Sequence, residues 1–205
     1  MPVLGKTKRE VVSDFRCAEI LAAARRVFAE KGFEGATVDD IASAAGLAKG
    51  TVYLYYRSKR EIYWAALKHG FRDLHEETKR RVEAAETIEA KIRAFIATKA
   101  AYFEENRDFF RIYYSEFGHV LIHPAQVHRH FKDFYLAQSR VIESVLQEAV
   151  RAKVIRELRT GAAAFAILDI TRGLITQRLL GWSRETIDED VRFVFDLLWK
   201  GIANR

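Results

Sequence analysis

The sequence predicts an all-α fold, and three observations predict it. Only two prolines, Pro2 and Pro124, occur in 205 residues, so almost nothing breaks a helix between them. Good helix formers such as alanine, leucine, arginine and glutamate are plentiful, while the Gly- and Pro-rich punctuation of strands is scarce. Apolar residues recur at the three-and-four spacing of a helix face instead of alternating. Together they imply three short helices, a connecting helix and a larger helical bundle, about nine helices in all.

Residues 1–12 read as a flexible basic arm. Ser13 or Asp14 caps a first helix on which Ile20, Ala24, Val27 and Phe28 share a face. Lys31 and Gly32 end it, a cation in the last turn followed by a glycine free to turn left-handed. Thr37 caps a short second helix, with Asp39 and Asp40 in its first turn and Val38, Ile41, Ala42 and Ala45 on one side. Gly46 permits a sharp turn, Leu47 plugs the corner, and a third helix runs from about Ala48 to Tyr56. Ser58, with Glu61 three residues on, forms a capping box for a longer fourth helix whose Ile62, Tyr63, Ala66, Leu67, Phe71 and Leu74 face inward.

Beyond Arg81 the pattern becomes that of a bundle. Thr87 starts a helix carrying Ile88, Ile92, Phe95 and Ile96. Breaks near Asn106, Gly118 to Pro124, Lys153 to Gly161 and Gly181 to Thr186 leave helices at about 107–117, 125–152, 161–180 and 187–203. The expected organisation is an arm (1–12), a three-helix head (13–57), a connecting helix (58–81) and a C-terminal body (82–205).

Charge is uneven. Residues 1–70 hold twelve Lys/Arg against eight Asp/Glu, and the remainder 22 against 20, within a net +6. A basic end on a near-neutral body suits a polyanion-binding module. Cys17 has no second cysteine to pair with and is expected as a packing residue in a reducing compartment. Lys6, Lys8, Arg9 and Glu10 stand where a signal peptide would be apolar, and the apolar run from Ala162 ends at Asp169. The expectation is a cytoplasmic protein without a membrane span.

The informative segment is Thr37 to Lys59. Two helices joined by a glycine turn of this length form a helix-turn-helix, whose second helix lies in the major groove of DNA. From Lys49 to Arg60 there are four cations and no acid, so phosphates nearby meet only positive side chains. Gly50 lets the backbone come close to DNA, and Thr51 and Tyr53 project from the start of the recognition helix towards base edges or phosphates. Val52 and Tyr56, four apart, are expected to pack inward on Phe28.

This segment resembles the TetR family of bacterial regulators. The matching residues are the Phe28 to Phe33 end of the first helix, Thr37 to Ala42, and Ala45-Gly46-Leu47. They continue through Lys49-Gly50-Thr51-Val52-Tyr53 to Tyr55-Tyr56 and Ser58-Lys59. The resemblance implies that Thr37, Lys49, Gly50, Thr51, Tyr53, Tyr55 and Lys59 face DNA, Tyr55 and Lys59 chiefly through phosphates. Ala48 stands where relatives often carry serine, and Leu54 where a second polar or aromatic residue is common. The alternative for Tyr53 and Tyr55 is a place in the core.

A palindrome reader needs two recognition helices about 34 Å apart, so a homodimer is expected. The apolar stripes of the last two helices suit the contact: Phe165, Leu168, Leu174 and Ile175 on one, Val194, Leu198 and Trp199 on the other. The alternative is an ordinary monomer core. The middle helices are rich in aromatics. Tyr102, Phe109, Tyr113, Phe117, Phe131, Phe134 and Tyr135 either line a pocket for a small apolar or aromatic effector or fill the core.

His119, His123, His128 and His130 crowd together, and Glu116-x-x-His119 has di-iron spacing. A second such pair is missing from the sequence, so no metal and no cofactor is expected. The reading that follows is a ligand-responsive repressor with a double-stranded operator as partner, and not an enzyme, since no catalytic set stands out. The alternative is a helical adaptor whose head docks on protein; the acid-free stretch argues against it.

Overall fold

A computed structural model describes residues 7–122 and 129–203, and among these it contains nine helices and no strand. The chain divides into two compact units, residues 1–70 with 108–122, and residues 71–107 with 123–205. The expected 82–205 body is therefore not one segment: 108–122 groups with the head.

The first unit holds α1 (Lys8–Gly35), α2 (Val38–Ala44), α3 (Lys49–Tyr55), the start of α4 (Lys59–Glu83) and nearly all of α6 (Arg107–Ile122). Helix α1 begins at Lys8 and not at Ser13 or Asp14, which corrects the expected arm. The cause is a capping box: Thr7 Oγ1 accepts from the Glu10 N–H at 3.3 Å, and the Glu10 carboxylate accepts from the Thr7 N–H at 2.8 Å. Residues 1–6 of that arm lie outside the described residues. Gly32 takes φ +70°, and a last turn continues to Gly35. Ile20, Ile41, Val52, Ile62 and Leu67 are fully buried together; each contributes about 1.5–3 kcal/mol of burial. The rings of Phe28 and Phe33 lie 5.1 Å and 5.0 Å from that of Tyr63, edge-on.

Helix α6 packs on α4 through Gly70. A Cβ at that position would stand 2.4 Å from Cε2 of Phe109, whose ring is fully buried. One turn and more away, the Tyr63 hydroxyl donates to Oε2 of Glu116 at 3.0 Å, both side chains buried. Burial first, and the Glu116 carboxylate second, push the Tyr63 hydroxyl far above its ordinary pKa. Helix α6 runs on through Gly118 to Ile122, where a break was expected; one helical glycine costs only about 1 kcal/mol.

The second unit holds the rest of α4, α5 (Ile88–Glu105), α7 (Arg129–Arg151), α8 (Thr160–Leu179) and α9 (Ile187–Ile202). Helix α5 is its centre, with α7, α8 and α9 packed on it and Ile92, Phe95, Ile96, Ala100 and Phe103 buried. Arg178 of α8 ties the assembly together by donating to Glu104 of α5 at 3.0 Å and to Asp190 beside it on α9 at 2.6 Å.

Four of the residues expected at a dimer contact belong instead to this core: Leu168, Leu174, Ile175 and Val194 are buried. Both α8 and α9 are apolar on two faces, and spacing alone does not say which face turns inward. On α9 the stripe Val191, Val194 and Phe195 is inward, while Phe193, 68% exposed, and Leu197 stand outward. Phe165 is exposed on α8, Leu198 and Trp199 are half-buried, and Trp182 beyond α8 is 72% exposed.

Gly70→Ala tests the α4–α6 approach. Alanine favours the helix by about 1 kcal/mol, but overpacking costs roughly 1–3 kcal/mol. Net loss of stability in chemical denaturation is expected, and Phe109→Leu in the same chain should recover most of it.

Candidate nucleic-acid interface

The reading head is built by short-range chemistry. Thr37 Oγ1 accepts from the Asp40 N–H at 3.1 Å, and the Asp40 carboxylate accepts from the Thr37 N–H at 2.9 Å, which starts α2. Asp40 also takes the Lys31 ammonium at 2.7 Å; that bond and the two from Thr37 lower its carboxyl to about 2. At the other end Gly46 sits at φ +66°. The Leu47 N–H reaches Ala42 O at 2.9 Å and the Gly46 N–H reaches Ser43 O at 3.1 Å. These paired bonds close α2 and reverse the chain into α3, a turn that only glycine makes without strain.

Helix α3 has one buried anchor, Val52, and Tyr56 just beyond it is buried as well. Burial first, then the Cys17 thiol, raise the Tyr56 hydroxyl pKa. The outer face is open. Lys49 and Gly50 are exposed, Tyr53 is 46% exposed, and Thr51 and Tyr55 are half-buried. A Cβ on Gly50 would meet nothing within 4 Å. Lys49 holds Asp39 at 2.6 Å in an exposed pair, which adds little to stability and leaves both groups within reach of solvent. Ala48 supplies no side-chain cap to α3.

Lys59 is placed differently from the expectation. Its ammonium donates to the carbonyls of Phe33 at 2.6 Å, Ala36 at 2.9 Å and Glu34 at 3.2 Å, and lies 4.5 Å from the centre of the Phe33 ring. An ammonium has three protons, and the end of α1 takes them. Here Lys59 staples α4 to α1 and does not face outward to a phosphate. The Ser58 cap forms as expected, with the Glu61 N–H donating to Ser58 Oγ at 3.2 Å, but the Glu61 carboxylate reaches back to the Arg57 N–H at 2.6 Å. A residue that spacing missed is Leu54, 82% exposed next to Tyr53.

The family model described as bacterial regulatory proteins, tetR family, matches residues 20–66, the span that holds this geometry. Over those residues the chain is similar to that family. The chain is 44% identical over 57 residues to the HTH-type transcriptional regulator YfiR of Bacillus subtilis, 28% of each chain. The HTH-type transcriptional repressor KstR2 of Rhodococcus jostii is 29% identical over 106 residues, 52% of each chain. The chain thus spans roughly a quarter to a half of the length of these curated relatives. The solved structure of the regulator FadR from Bacillus subtilis, in complex with stearoyl-CoA, superposes with TM-score 0.74 at 20% identity. That likeness covers 90% of this chain and 98% of the other, so the fold is shared beyond the head.

The aromatics expected to line one pocket fall in both units. Phe109, Tyr113 and Phe117 form a ladder along α6 in the first; Tyr113 is 6.3 Å from Phe109 and 6.5 Å from Phe117, and the Phe109 ring is spent against Gly70. In the second, Phe134 stacks on Phe71 at 4.2 Å with Phe131 beside it, and Tyr135 donates to Asp169 at 2.9 Å; Tyr102 packs against Phe103. A groove of about 340 Å³ between α4 and α7 is lined by none of them. Helical spacing placed these rings on faces but did not say which rings close against each other. The side chains of His119, His123 and His128 lie outside the described residues; among the described residues no cluster of His, Cys, Asp or Glu is arranged to hold a metal ion.

Two substitutions separate stability from DNA contact. Gly50→Ala should stabilise the fold by up to about 1 kcal/mol, yet weaken DNA binding about tenfold, or ~1.4 kcal/mol, if backbone approaches DNA there. Lys59→Met should cost roughly 1–3 kcal/mol of stability by orphaning carbonyls and leave the salt dependence of DNA binding unchanged. A salt slope reduced by about one would instead return Lys59 to the phosphates.

Proposed function

We propose that this chain is a DNA-binding transcriptional regulator that reads a palindromic operator as a homodimer and is released by a small apolar or aromatic effector. The observation that carries the reading is the outer face of α3: Lys49, which holds Asp39 beside it, stands outward with Gly50, Thr51 and Tyr53 on a helix that has no acid of its own, while Val52 alone anchors it inward. Lys49 supplies charge for phosphates, and Thr51 and Tyr53 supply hydroxyls for phosphates or base edges. Leu54 adds an apolar tip suited to a thymine methyl group.

The relatives of the head are regulators, which supports this function over an enzyme. None of the described helices is long and apolar enough to cross a membrane, in keeping with a cytoplasmic regulator. A second copy is the natural cover for the apolar side chains left outside on the last helices, Phe165, Trp182, Phe193 and Leu197. Helix α4 gives the response a path, because Lys59–Gly70 belongs to the first unit and Phe71–Glu83 to the second. A ligand that favours one placement of Phe71–Glu83 biases the other half of the same helix.

Selection of bound fragments from random DNA by the full-length protein tests the reading. The expected product is a palindrome with half-sites about 10 bp apart, and affinity should fall linearly on a log–log plot against salt. No enriched sequence would overturn the operator reading and favour a protein-docking head.

A further inference from the structure

The second unit carries a charged group that its own packing does not explain. Lys99, at the middle of α5, is only 6% exposed. Its ammonium donates to Oε1 of Gln138 on α7 at 3.1 Å and lies 5.5 Å and 5.9 Å from the ring centres of Phe95 and Phe134. An ammonium has three donors; Gln138 is the hydrogen-bond acceptor that Lys99 has among the described residues. The charge that acts on it from α8 is another cation, Arg172. Burial first, and Arg172 second, pull the Lys99 pKa down to about 7. A buried charge without a counter-charge costs several kcal/mol, and a methionine of similar length would fill the same space without that cost.

Lys99 is also connected outward. Nε2 of Gln138 donates to Nδ1 of His75 on α4 at 3.3 Å, and His75 lines the groove between α4 and α7. The groove, about 340 Å³, is at the small end of ligand sites, which run from about 300 Å³ upward. Its walls are Val82, Ala137 and Val141 with the cations Lys79 and Arg140, against one acid, Glu83. Burial first, and then the Lys79 charge, lower the His75 pKa, Lys99 adding a smaller push the same way. So a line of three polar side chains leads from a groove with an excess of cations to a buried ammonium surrounded by aromatic rings.

We propose that this line is the recognition end of the effector site, and that the effector is an amphipathic acid whose single anionic head pairs with Lys99 while its apolar body packs among Phe95, Phe134 and the groove walls. Gln138 and His75 are positioning residues that fix the ammonium. The proposal rests on the ligand-responsive reading above and narrows its effector from apolar to apolar with an anionic end. The anion supplies both the missing acceptors and the missing counter-charge, which an uncharged ligand of the same body does not.

The test uses full-length protein and three probes with one twelve-carbon chain: dodecanoate, dodecyl phosphate and dodecanol, followed by tryptophan fluorescence at pH 7 below micelle-forming concentrations. At least one anion should bind about tenfold or more tightly than dodecanol, as expected for a buried charge-assisted hydrogen bond. Which anion does so separates a carboxylate from a phosphate head. Lys99→Met should abolish the preference and leave dodecanol binding within about twofold; its thermal midpoint should equal or exceed that of the parent, since a buried charge is removed. Lys99→Gln, which keeps a hydrogen-bonding end without charge, should lose the preference too. Equal binding of dodecanol and both anions, or an anion preference that survives in the Lys99 variants, overturns the proposal. Operator binding by the same preparations is read in parallel, so loss of this proposal with DNA binding intact leaves the regulator reading standing.

Discussion

The rest of the molecule depends on the burial of one stripe of α4. Ile62, Ala66 and Leu67 lie in the core of the first unit, and Phe71, Leu74, Thr78 and Val82 in that of the second. A single helix must therefore present a continuous buried edge for more than five turns. Gly70 answers the tightest demand on it, giving its missing side chain's space to Phe109. Thr78 is buried with its hydroxyl donating to Leu74 O at 2.6 Å, so no polar atom of its side chain is stranded.

Polar chemistry then decides where the chain is specific. In the head it is short-range and closed: Thr37 with Asp40, Gly46 with its backbone bonds, Lys59 with the carbonyls of α1. These groups stabilise a platform and leave Gly50, Thr51 and Tyr53 of α3 outside it. In the second unit Arg178 is satisfied by two carboxylates, whereas Lys99 is left with an amide and aromatic rings. Two buried or half-buried cations on the same bundle have opposite fates, and only the second invites a ligand.

Much of the fold was legible because its signals are local. The Thr37 cap, the left-handed Gly46 turn and the inward Val52 all follow from neighbours within a few residues. The start of α1 was equally local, since Thr7 and Glu10 have the capping-box spacing, but Ser13 and Asp14 offered a competing cap. What failed depends on distant partners. A lysine at the start of α4 says nothing about whether its long side chain bends back to α1 or out to solvent, and Lys59 bends back. Helices apolar on two faces do not declare which is inner, so Leu168, Leu174, Ile175 and Val194 were set at an interface while Phe193 and Leu197 hold the outside. Lys99 sat within an amphipathic run, where spacing marks burial but cannot show a missing counter-charge.

The division of the chain has a consequence for its modularity. The backbone passes from one unit to the other at residues 70, 107 and 122, so the head is assembled from two stretches that are far apart in sequence. No single cut releases it whole: a fragment ending at Gly70 would leave the Phe109 side of α4 bare and Tyr63 without Glu116. Grafting this head onto another body by simple fusion would carry that defect along. Exchange of reading heads between chains of this build is therefore constrained to recombination that moves α6 together with the first four helices.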